Sequence, residues 1–89
     1  MNTQSNNNWV LQKYEMPDSI TLAEKEFDNE TWTLYLELSS DKKYKQFLVT
    51  QWVKEIQDFV FWKYYTNLEE AYLNYQLGII KTKNNVKSE

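Results

Sequence analysis

The chain contains no cysteine, no histidine and no arginine, and it has one glycine and one proline among its 89 residues. Each absence removes a class of chemistry. Without cysteine there is no disulfide, no thiolate metal site and no thiol nucleophile. Cysteine-free composition fits a cytoplasmic setting. Without histidine the commonest general base and the commonest metal ligand are gone. A single glycine, Gly78, cannot build a glycine-rich phosphate loop. All ten basic residues are lysines. Bidentate reading of guanine and clamping of phosphate rely on arginine, so sequence-specific DNA readout loses its usual instrument. No apolar run approaches the roughly 20 residues of a membrane span, so no membrane role is expected. Met1 to Asn8 is polar and uncharged, unlike the start of a secretory signal. The formal net charge is −3, which is opposite in sign to the basic footprint of a general nucleic-acid binder.

Aromatic residues are abundant. Four Trp, seven Tyr and four Phe make up 17% of the chain. They concentrate in residues 59–65, Phe-Val-Phe-Trp-Lys-Tyr-Tyr, where only Lys63 is polar and can lead its ammonium out along its alkyl stem. This run reads as a central β-strand with large side chains on both faces.

Taken in order, residues 1–8 carry no periodicity and read as a disordered arm. Trp9 to Met16 reads as a first strand, ended by Pro17, which lacks a ladder donor. Ile20 to Phe27 is a second candidate, and Asp28-Asn29-Glu30 a hairpin connection. Thr31 to Leu38 alternates strictly: Trp32, Leu34, Leu36 and Leu38 face one way, and Thr31, Thr33, Tyr35 and Glu37 the other. Ser39 to Lys43 is a polar loop. Gln46 to Val53 has two readings. As a strand it sends Phe47, Val49 and Val53 to one face and Leu48, Thr50 and Trp52 to the other. As a helix it aligns Tyr44, Leu48, Trp52 and Ile56. The β-formers Phe-Leu-Val-Thr favour the strand.

Thr66-Asn67-Leu68-Glu69 has the form of a capping box and opens a helix from about Asn67 to Leu77. Its expected apolar stripe is Leu68, Ala71, Tyr72 and Tyr75, set against the Trp32 row. Gly78 stands where a left-handed residue would end the helix, with Ile79 folding back onto Leu73. The expected fold class is therefore α+β: an antiparallel meander of about four to five strands with one C-terminal helix packed on one face. Residues 9–80 form one domain, and 81–89 a flexible polar tail.

Two carboxylate pairs offer acid–base or hard-cation chemistry, Glu24 with Glu26 and Glu69 with Glu70. The plainer readings are a charged edge strand and favourable charges at a helix start. Lys42, Lys43 and Lys45, and Lys81, Lys83 and Lys87, read as solvated loop and tail groups that could also meet phosphates. The aromatic surplus makes the stronger functional claim. One helix covers one sheet face, so the other would present Tyr35, Leu48, Trp52, Trp62 and Tyr64. Trp and Tyr are enriched at binding hot spots. The sequence therefore points to a non-catalytic protein-interaction module, needing no cofactor or metal, that binds a partner protein or forms a homodimer through that face. The alternative is a single-stranded nucleic-acid-binding protein that stacks bases on the same rings.

Overall fold

The computed structural model describes residues 18–39 and 41–87. The expected arm at 1–8 and strand at 9–16 lie outside the described residues. Four strands, β1 (Asp18–Glu26), β2 (Glu30–Leu38), β3 (Lys45–Val53) and β4 (Asp58–Tyr65), are followed by one helix, α1 (Leu68–Lys87). The strands pair antiparallel in the order β1-β2-β3-β4, a meander, and α1 packs on one face. Residues 45–53 are strand, as their β-branched and aromatic content favours.

The alternation of β2 and β3 sets the core. Leu34 pairs with Val49 and Leu36 with Phe47, so both rows point to the helix side. Tyr65 extends the row from β4 through its pairing with Phe47. Ala71, Tyr75 and Ile79 close over these residues, and Leu34 and Val49 are 2% and 0% exposed. Trp32 is buried among them, its ring 5.6 Å from that of Phe61. Its indole nitrogen donates to the Thr82 hydroxyl (2.9 Å), which donates in turn to a Glu30 carboxylate oxygen (3.2 Å). Gln51 donates to the same Glu30 oxygen. One hydrogen-bonded chain thus ties β2, β3 and α1 together.

Several helix expectations are corrected. The helix does not end at Gly78 but continues to Lys87, so residues 81–87 are helical rather than a loose tail. Gly78 has no positive φ. It is needed for space: a Cβ there would meet Trp32 Cζ2 and Cζ3 at 2.6 Å. Ile79 is buried against the sheet instead of folding back onto Leu73. The buried stripe is Ala71, Tyr75, Gly78, Ile79 and Thr82, whereas Leu68 and Tyr72 are about half exposed. The N-cap also sits one residue later than the capping box implies. Asn67 Oδ1 accepts the Glu70 amide at 3.0 Å, and the Asn67 carbonyl accepts from Ala71 N.

The strand at 59–65 is an edge strand, not a central one: among the described residues β4 pairs with β3 alone. A meander places its last strand at an edge, whatever the composition of that strand. The loops at both ends are pinned locally. Ser39 Oγ donates to Asp41 Oδ1 (2.7 Å), and the Lys43 amide donates to the same oxygen (3.0 Å). These bonds hold the Asp41 carboxyl below its ordinary pKa. Asn29 bridges the other end, accepting Lys54 N on its carbonyl and Glu55 N on its side chain. Among the described residues no helix is long and apolar enough to cross a membrane.

Burial raises the phenol pKa of Tyr65, with a further push from Glu70, and that of Tyr75, with Tyr72 and Glu24 adding to it. A folded-state pKa above the unfolded value contributes stability that is intact below about pH 10, the ordinary tyrosine value, and is lost as pH rises through the folded pKa. Denaturant midpoints should therefore hold steady at neutral pH and fall on the alkaline side. A Tyr65→Phe, Tyr75→Phe double variant, which cannot ionise at these positions, should show a shallower fall.

Candidate functional site

The sheet face turned away from α1 is built in cross-strand rows. Tyr35, Leu48 and Tyr64 form one row, and Thr33, Thr50 and Trp62 the next. Thr31, Trp52 and Phe59 form the third, at the end where the β1–β2 and β3–β4 turns meet. All five residues expected on this face are there: Tyr35, Leu48, Trp52, Trp62 and Tyr64. Their accessibility differs. Leu48 is 1% exposed and supports the surface from beneath; Tyr35, Trp52 and Tyr64 are half-buried; Trp62 is 36% exposed. Thr33 and Thr50 are buried in the middle of the face, and Glu37 and Gln46 are buried as a polar pair at the end nearest the β2–β3 turn. Gln46 Nε2 donates to Glu37 Oε1 at 3.3 Å. Beside this pair, burial pushes the Tyr64 phenol pKa up; Trp62 pulls against that shift, and the Glu37 carboxylate adds to it.

The accessible aromatic surface is therefore a corner, not the whole face. Strict alternation places Phe59 with Phe61 and Tyr65 on the helix side. The structure moves it. Between the Gln51–Phe61 and Trp52–Phe59 pairs, β4 carries one extra residue, Val60, a β-bulge that swings Phe59 to the opposite face. There it sits between the two tryptophans. The Trp52 and Phe59 rings meet edge to face at 5.0 Å and 73°, and Phe59 and Trp62 at 4.7 Å and 85°. Each such contact is worth about 0.5–1.5 kcal/mol beyond burial. Phe59, Val60 and Ile56 are all exposed at this corner. The sequence held no signal for Phe59 because a bulge has no fixed residue signature here; Val60 is an ordinary strand former.

The surroundings are acidic. A cleft of about 250 Å³ beside Trp52 is lined by Glu26, Asp28 and Glu30 against the single cation Lys54. Glu24 and Glu26 are exposed on β1, opposite Thr33 and Thr31, and among the described residues β1 pairs with β2 alone. Among the described residues, no group of three or more acidic side chains is placed to hold a metal ion. Of the loop lysines, Lys42 pairs with Asp18 at 2.7 Å at the far end of the sheet, well away from the tryptophans. A second apolar groove, between β1 and the start of α1, is lined by Leu22, Ala23, Leu34, Leu68 and Tyr72.

Comparison with known proteins finds no matching family model, no matching curated protein and no matching solved structure.

Proposed function

We propose that this protein is a non-catalytic interaction module that binds a partner protein at the Trp52–Phe59–Trp62 corner. The observation that carries this reading is the chain of edge-to-face rings left half exposed at the bulged end of β3 and β4. Rings fixed by one another lose little side-chain freedom on binding, which favours them as anchors. Glu26 and Asp28, which line the cleft beside Trp52, set negative charge next to the rings and select a segment with basic residues beside its apolar ones. The same charge works against the nucleic-acid alternative, because phosphates would approach carboxylates where they need lysines.

Selection of peptides from a displayed random library tests the proposal. Enriched sequences should place an aromatic or aliphatic residue next to Lys or Arg. Trp62→Ala and Phe59→Ala should weaken their binding at least ~10-fold while leaving the far-ultraviolet dichroism intact. Peptides that bind both variants as tightly as the native chain would sink the reading. Salt-sensitive binding of short oligonucleotides at ~20 mM salt, lost in Trp62→Ala, would transfer the corner to the nucleic-acid alternative.

A further inference from the structure

Helix α1 is apolar on two sides. Its buried stripe, Ala71, Tyr75, Gly78, Ile79 and Thr82, accounts for its seat on the sheet. At 3.6 residues per turn, Leu73, Leu77 and Ile80 fall on the opposite side, spaced four and three residues apart. They are 56%, 47% and 49% exposed. Single exposed leucines are ordinary, but a seam of three large apolar residues along the outer face of a helix is the pattern of a helix–helix contact. Charge is distributed along the same helix with one sign at each end. Glu69 and Glu70 are exposed in the first turn, and Lys81 and Lys83 are exposed beyond the seam.

We propose that this outer face is a self-association surface, on which two copies pack their α1 helices antiparallel about a two-fold axis near Leu77. The charge order selects both the partner and the direction. An isologous contact needs a surface complementary to itself. Acidic, apolar and basic segments in sequence are complementary to a second copy only when it runs the other way. Glu69 and Glu70 of one copy then lie alongside Lys81 and Lys83 of the other, whereas parallel packing would set acid on acid and base on base. One helix pair is a small interface, so the dimer is weak and concentration-dependent. The sheet lies between α1 and the aromatic corner, so the dimer would display two corners facing outward. The surface itself does not depend on that corner's role.

Solution mass measured by light scattering or sedimentation, from about 10 µM to about 1 mM, should rise from 10.9 kDa towards twice that value. Leu77→Glu should hold the chain monomeric throughout with unchanged dichroism. The paired reversal Glu69→Lys, Glu70→Lys should weaken the dimer at least ~10-fold, and Lys81→Glu, Lys83→Glu should do the same. Combining all four reversals should restore dimerisation to within about threefold of the native chain. Within one helix each reversal opposes the macrodipole, and the fourfold variant opposes it most. Recovery there can therefore come only from pairing between copies. A native chain that stays monomeric at the top of the range overturns the proposal. So does a dimer that ignores Leu77→Glu, or a fourfold variant that fails to recover.

Discussion

Gly78→Ala should destabilise the protein by about 1–3 kcal/mol, although in an ordinary helix interior the same change stabilises by roughly 1 kcal/mol. The reversal of sign comes from Trp32. A Cβ on residue 78 would lie 2.6 Å from both Cζ2 and Cζ3 of the indole, inside any tolerated contact. The ring has little room to retreat. Its nitrogen is bonded to Thr82, one side packs on Phe61, and the residue belongs to the buried cluster with Leu34 and Tyr75. Relief must come from lifting α1 off the sheet, which opens the contacts of Tyr75 and Ile79 as well. Urea denaturation measures the loss. Trp32→Leu, which removes the ring, should itself be destabilising, but in that background Gly78→Ala should cost little or become favourable. A cost that is the same in both backgrounds would show that the indole is not the cause.

The same glycine shows where a sequence stops informing. A lone glycine after an apolar helical stripe fits two physical situations, a left-handed cap and a close approach of helix to ring. Local sequence does not contain the ring. One hint was present: Tyr75, Ile79 and Thr82 continue the helical period through Gly78 on the buried side, with no proline afterwards to stop it. Alternation was more reliable. It placed Trp32 and Leu34 on the core side of β2, and it put Tyr35, Leu48, Trp52, Trp62 and Tyr64 together on the other face. The period of two is a property of each strand alone, so it survives ignorance of the partners. The position of a strand within the sheet is not such a property. The residues at 59–65 look central because of their apolar content, yet the meander makes them an edge. Phe59 was misplaced for a related reason: the extra residue at Val60 is defined by pairing with β3, which exists only once the sheet has formed.

Thr82→Val should cost about 2–3 kcal/mol, although it changes only a hydroxyl for a methyl of similar size. Thr82 is 3% exposed, and its oxygen is used twice, accepting from the Trp32 indole and donating to Glu30. Valine would strand the indole N–H in a buried site with no acceptor and would remove one donor from the Glu30 carboxylate, leaving it Gln51. A lost partner for a buried donor costs about 1–3 kcal/mol, and a bond to a charged group adds to that. Thr82→Ser keeps the hydroxyl and loses one buried methyl, so it should cost less, about 1 kcal/mol. The ordering Val worse than Ser separates the hydrogen-bond account from a packing account, which predicts the reverse because valine retains the volume. The position also measures how far the helix reaches. If residues beyond Gly78 were frayed, Thr82 would be solvated, and both variants would leave the denaturation midpoint where the native chain has it. A clear loss in Thr82→Val, with Trp32 fluorescence altered in the folded state, would locate the third link of the Gln51–Glu30–Thr82–Trp32 chain in the last turns of α1.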